Sequence, residues 1–517
     1  MRSPTRLSTA LSLGAIAVAV ASCSQAAPEV VYEGPVPELS GARPWLMYAT
    51  VGPQGGRFGG LEGALQSGVE ASLLEPSSGR STPLSPDAHG RFSVGHEVSV
   101  GGEVLLVIAD AQVSFRVREA DEARRAAVLP PAGGVGAVPN DLIPLGTGPD
   151  SRALVVRSGD NAVSPVAWQS GLQGQPDGIR LPSLQGPDST RVPAGPWFGA
   201  ALDEAGHRVA VSASLQAVVY IVDIQSGQVE QTLALSAPVT LPEPFVLPAP
   251  FDVDGDGQEE LQVQTFEVGT PQPVAVVQDR LLVGFANVLR ADLGEGQGQI
   301  MLPSVIASYD LKDLSQPPVL RVLPHLNPQE IRASELGGVL VTCSGTFRIA
   351  GVEAISPGAV YRLDPVSLQV LGERAFDSFL PTTALEAAGR VWVGSLGRPW
   401  IESFSWQDNA PGPRLTLNSE AVDSVFRLFL MPGGLIGVPS FNTDTLHVID
   451  PGTASLNPEP FYAPLQVGPG GQLFDGLQIV ARRPGRAGVD FVGPDLLVLS
   501  GIAARVTPIE LRKILGP

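Results

Sequence analysis

Residues 208–227 read Arg-Val-Ala-Val-Ser-Ala-Ser-Leu-Gln-Ala-Val-Val-Tyr-Ile-Val-Asp-Ile-Gln-Ser-Gly. A short apolar run, a polar turn and an alternating strand ending in Asp223 make one phrase, and period-two alternation is the pattern of a half-buried strand. The phrase returns at 339–367 (VLVTCSG through AVYRLDPVS), 390–408 (RVWVGSLGRPWIESFSWQD) and 434–452 (GLIGVPSFNTDTLHVIDPG). Weaker copies begin at Ser151 (SRALVVRSGDNAVSPVAWQSG) and at Asp279 (DRLLVGFANVL, resuming at VIASYDLKD). With Asp223, Asp310, Asp364, Asp408 and Asp450 as markers, the steps are 87, 54, 44 and 42 residues. A repeat of this length built from short strands is a four-stranded β-propeller blade, because such a blade cannot bury both faces until neighbours stack on it.

Composition agrees with an all-β chain. Its 59 Gly and 49 Pro in 517 residues punctuate many turns, and only 119–128 (EADEARRAAV) and 507–514 invite short helices. The marked units, a degenerate segment at 241–267 and a closing unit at 466–509 predict about seven blades. The net charge is −19 and Lys occurs only at Lys312 and Lys513. Without a basic stripe to neutralise phosphate, nucleic acid is excluded as a partner.

The first residues read as an export signal. Arg2 and Arg6 precede an apolar stretch from Leu11 to Ala21, then small residues and Cys23. About eleven apolar residues fall short of the ~20 that cross a bilayer. Val20-Ala21-Ser22-Cys23 resembles the bacterial lipobox, which implies cleavage before Cys23, acylation of its thiol and a lipid anchor in the envelope membrane. Ser24 after the Cys resembles the outer-membrane sorting pattern of enteric bacteria. The expected organisation is signal peptide 1–22, tether 23–44, a small β-sandwich-like domain 45–118, linker 119–139 and propeller 140–517. Lipidation of Cys23 leaves Cys343 unpaired, and its strand-like setting predicts a buried, inert thiol.

Residues 68–74 and 87–94, in short strands with Gly-rich turns, resemble carboxypeptidase-regulatory or Ig-like β-sandwich modules of exported bacterial proteins. From Asn140 onward the chain resembles YncE-like, or YVTN-type, propellers, on the strings VVYIVDIQSGQV (218–229), AVYRLDPVSLQV (359–370) and TLHVIDPGTAS (445–455). That resemblance implies the fold and leaves the ligand open.

Asp252-Val-Asp254-Gly-Asp256-Gly-Gln258-Glu-Glu260 places carboxylates at alternating positions around glycine, a spacing that converges oxygens on one hard cation. It resembles the calcium turns of FG-GAP repeats. Asp252, Asp254, Asp256, Gln258 and Glu260 are thus expected to hold a structural Ca2+, which relieves the repulsion between close carboxylates.

Catalytic constellations are missing. Five His stand singly, no G-x-S-x-G elbow occurs, and Gly294 to Gly298 lacks the strand-to-helix setting of a phosphate loop. The remaining candidate is a face, where the loops between second and third strands of the blades emerge together. It offers Ser158, Asp160, Asn161, Asn287, Phe347, Arg398, Trp400, Asn442 and Asp444, a mixture suited to a peptide, a glycan or an envelope protein. The expected function is a lipid-anchored binding or scaffold protein. The alternative is an envelope hydrolase or lactonase, whose propellers resemble this fold and use inward-facing Glu, Asn and Asp.

Overall fold

Each copy of the phrase folds as the middle of an antiparallel four-stranded sheet. In the computed structural model, which describes residues 39–131, 134–147, 151–168, 178–185, 191–235, 238–252, 258–292, 297–348, 353–354, 356–417, 423–470, 473–484 and 493–516, the quoted stretch forms strands Arg208–Ala213 and Val218–Asp223. They pair between Pro196–Ala201 and Gln228–Ala234. The middle strands are buried almost throughout, because neighbouring blades cover both faces. Outer strands such as Val370–Phe376 alternate between exposed and covered positions, as a solvent edge requires.

The first strands of the successive blades are Pro139–Leu145, Pro196–Ala201, Pro271–Val277, Pro328–Ala333, Pro381–Ala387, Phe429–Leu430 and Leu477–Arg482. Five open on proline, which is tolerated at a strand's first residue because no ladder donor is needed there. The marker Asp is turn chemistry. Asp223 Oδ1 accepts from the Ser226 amide at 2.6 Å, Asp364 from Val366 and Ser367 at 3.1 and 2.7 Å, and Asp450 from Gly452 at 2.9 Å. These amides hold the Asp223 and Asp364 carboxyls below the usual range.

The uneven steps have structural causes. Residues 241–267, expected as a degenerate blade, instead form a two-stranded hairpin, Val239–Phe251 with Glu260–Phe266, inserted between blades two and three. Its four prolines, at 242, 244, 248 and 250, remove the donors a central blade strand needs. A second hairpin, Val288–Asp292 with Gln297–Met301, interrupts blade three. Together they lengthen the first step to 87 residues.

The ring closes on a segment from far upstream. Among the described residues, blade seven has three strands of its own, ending in Arg505–Ile509. Its free edge pairs with 128–135: Val128 and Gly134 bridge to Ile509 and Arg505, and the Leu129 and Val135 amides donate to Pro508 and Ala504 at 3.0 and 2.9 Å. The stretch 119–139, expected as a linker, therefore carries helix Ala120–Ala127 and then the closing edge. The Glu119 carboxylate caps that helix by accepting from the Asp121 and Glu122 amides. Residues 507–514, expected as helical, continue the last strand and end in a 3-10 turn at Leu511–Lys513. Pairing of Pro508 with Leu129 overrides the local preference.

Residues 47–119 build two further four-stranded sheets, in contact through Phe58 and Phe115, whose ring centroids lie 5.0 Å apart edge to face. Their core is continuous with the ring: Phe58, Leu61 and Phe115 belong to one buried cluster with Leu446, Phe461, Leu496 and Ile509. A polar seam fixes the orientation. Arg91 binds both Asp450 oxygens at 2.6 Å and Glu62 at 2.7 Å, and a side chain at Gly433 would collide with Leu61. All described residues thus belong to one compact unit.

Candidate functional site

Three of the loops between second and third strands carry an Asn or Asp with left-handed backbone. Asn161 (φ 52°), Asn287 (φ 49°) and Asp444 (φ 51°) hold this conformation, which favours Asn and Asp among side-chain-bearing residues. Their polar atoms are engaged within the chain. Asn161 donates to the Leu181 carbonyl at 2.9 Å and accepts from Ala194 at 2.7 Å, while Asn287 bonds Gly269 and Pro303. Asp444 accepts from four amides between Gly470 and Leu477. These three residues staple each loop to the connection that enters or leaves its blade.

The other residues of the expected face divide. Ser158 donates to Val138, and Asp160 is held by the Ala137 amide and Arg157, both at 2.7 Å. Arg398 lies over the Trp400 ring at 5.6 Å, with Arg414 on the same ring at 5.0 Å. The Asn442 amide donates to buried Asp423. Phe347 opens the short strand Phe347–Arg348, with its side chain outside the described residues. Asp254 and Asp256 also lie outside them. Phe251 pairs with Glu260, so Asp252, Gln258 and Glu260 stand at the tip of the first inserted hairpin.

Beside Asp160 and Asn161 a cavity of about 640 Å³ opens, completed by Arg180 at the end of blade one's fourth strand and by Leu181, Ser183, Gln185 and Arg191 from the crossing to blade two. Sequence reasoning found its two loop residues and missed the arginines, which lie beyond the phrase that marks each copy of the repeat.

The channel carries a network that the sequence also concealed. The third residue of the first strand in blades one to five is Asp141, Phe198, Pro273, Glu330 and Thr383. Asp141 and Glu330 are almost wholly buried, and both face Arg427 of blade six, at 3.3 and 4.0 Å. The Arg427 guanidinium lies 5.1 Å over the Phe198 ring. Arg332 adds a 2.6 Å pair to Glu330, whose other oxygen accepts from Thr383 at 2.7 Å. Asp141 accepts from the Gly199 and Leu142 amides. Burial pushes the Asp141 carboxyl up and Arg427 pulls it back. A polar residue two places after the strand-opening proline was the available signal.

This arrangement is an ion-pair bridge between blades, with each carboxylate engaged by cation and hydrogen bond. No cluster of three or more His, Cys, Asp or Glu suited to a metal occurs among the described residues. His447 is buried on strand Thr445–Asp450, and desolvation lowers its pKa to about 4. Cys343 is fully buried and its thiol is pushed up to about 12, so it is inert as expected.

No family model matches the chain, and no curated protein does either. Solved structures similar to it include a mitotic checkpoint complex (12% identity, TM-score 0.45, 74% of this chain and 90% of that one). The β-propeller domain of Cps50 (Swd1) from Myceliophteria thermophila gives 12%, 0.40, 74% and 96%. Virginiamycin B lyase from Staphylococcus aureus gives 10%, 0.39, 71% and 94%. The fold itself stands on the sheets and their order.

Arg427→Ala leaves the Asp141 charge buried without its cation, a change that costs about 3–5 kcal/mol when a buried pair loses one partner. Denaturant unfolding of the variant should show that loss, with part of it recovered by adding Asp141→Asn. A loss below about 1 kcal/mol, the level of an exposed pair, would show that the bridge does not hold the blades.

Proposed function

We propose that this protein is a lipid-anchored, extracytoplasmic β-propeller that binds a ligand or envelope partner at the face bearing the second-to-third strand loops. One observation carries the reading: the channel carboxylates are matched by Arg427 and Arg332, whereas the cavity beside Asn161 holds arginines that pair with no acid among the described residues. A hydrolase or lactonase built on the channel would need those carboxylates free for water or substrate. The YncE-like strings and the lipobox-like Cys23 support an envelope role, with the outer membrane favoured by Ser24.

Membrane fractions provide the test. The N-terminus should be an acylated Cys23, and Cys23→Ser should move the protein to the soluble fraction. A photo-crosslinker replacing Gln185 in the anchored protein should give a discrete adduct that is absent when the same group replaces Val319 on an outer strand. An unacylated N-terminus elsewhere overturns the anchor, and no adduct, or equal adducts at both positions, overturns the binding face.

We also propose that Asp252, Asp254, Asp256, Gln258 and Glu260 hold one structural Ca2+ that closes the hairpin tip, a reading supported by the Phe251–Glu260 pairing that brings the motif's ends together. Calcium at about a hundredfold its Kd should stabilise the wild type by about 2.7 kcal/mol. The same addition should leave Asp254→Ala with Asp256→Ala unchanged in thermal unfolding. Equal responses, or none, would reduce the loop to an acidic turn.

A further inference from the structure

The cavity on blade one has a chemistry that narrows its ligand. Gln185 and Arg191 are direct cross-strand partners on the ribbon Leu184–Gln185 with Arg191–Val192, so their side chains share one face. Arg180 ends the blade's fourth strand, opposite Ala162. The frame is tied down: Asn161 holds Leu181 and Ala194, and Gln216 donates to the Pro182 and Val192 carbonyls at 3.0 and 2.8 Å. The side chains of Arg180, Ser183, Gln185 and Arg191 are exposed and, among the described residues, make no hydrogen bond or ion pair. The one carboxylate among the described lining residues, Asp160, is already paired with Arg157.

Among the described lining residues, two uncommitted guanidiniums stand beside one satisfied acid, an excess of positive charge on a chain of net charge −19. A guanidinium fork matches a carboxylate with two parallel hydrogen bonds. The remaining uncommitted groups are a hydroxyl and an amide, and the one apolar lining residue, Leu181, is itself buried. Such a lining suits a polyhydroxylated ligand better than an apolar one, and its volume lies within the range of small-molecule sites. At about 0.1 M salt, charges beyond ~10 Å are screened, so a small acid meets the arginines while a long polyanion meets the acidic surface as well.

We propose that this cavity binds a small polyhydroxylated monocarboxylate, a sugar acid, with Arg180 and Arg191 on the carboxylate and Ser183 and Gln185 on hydroxyls. The proposal rests on the binding-face reading above and adds the ligand class.

The test is calorimetric titration of the detergent-solubilised full-length protein with D-glucuronate, D-glucose and acetate at low salt. Glucuronate should bind in a saturable way and more tightly than either comparator. Arg180→Gln and Arg191→Gln should each weaken it roughly ten- to a hundredfold, the effect of losing one charge-assisted hydrogen-bonded partner. Arg321→Gln, on an exposed outer strand, should leave it unchanged. Because both cavity arginines are exposed, the variants should keep the wild-type melting temperature. Equal binding of glucose, unchanged affinity in both cavity variants, or no glucuronate binding overturns the proposal. Failure here with a retained Gln185 adduct overturns the ligand class alone, whereas loss of that adduct overturns the binding face.

Discussion

A ring of blades must be closed, and here the closing contact lies between residues 128–135 and the last strand of blade seven. Without it, Arg505–Ile509 would present a row of unpaired backbone groups, the condition under which sheet edges recruit other chains. The same contact determines where the upstream sheets sit. A chain leaving Arg118–Glu119 through one short helix into blade seven has little freedom, and the shared core around Phe58, Phe461 and Ile509 forms as a consequence. The Arg91 seam then adds direction to a contact that burial alone leaves non-directional.

The channel is organised by the same need for cohesion. Its carboxylates come from blades one and four and its bridging cation, Arg427, enters with blade six, so the network spans the ring where no backbone pairing does. A guanidinium held by two buried acids resists desolvation because each partner also has hydrogen bonds. Beside the Asn161 loop, by contrast, Arg180 and Arg191 are exposed and make no hydrogen bond or ion pair among the described residues.

The repeat was legible because its markers are local: a turn-capping Asp, a strand-opening Pro and an apolar alternation all act within one blade. Helix Ala120–Ala127 was legible for the same reason, through its acidic start and basic end. The closing edge was not, since VLPPAGGV reads as a linker and becomes a strand edge only against Pro508 and Ala504. The segment 241–267 was read as a degenerate blade, although its prolines at 242, 244, 248 and 250 argue against a central blade strand. Asn161, Asn287 and Asp444 were expected on a ligand face because their loops emerge together, whereas the structure uses their polar atoms for bonds within the chain. Arg427, Asp141 and Glu330 have no fixed spacing, because each belongs to a different blade.

The central claim is that the upstream sheets and the ring are one structure closed by 128–135, and comparing unfolding of the whole chain with that of residues 139–517 alone tests it most directly. The whole chain should unfold in a single cooperative transition. The shorter chain, deprived of its closing edge and of the core shared with Phe58 and Phe115, should be soluble only in a loosened form or melt far below it. Two separate transitions in the whole chain, with the ring melting at the same temperature when isolated, would contradict the account.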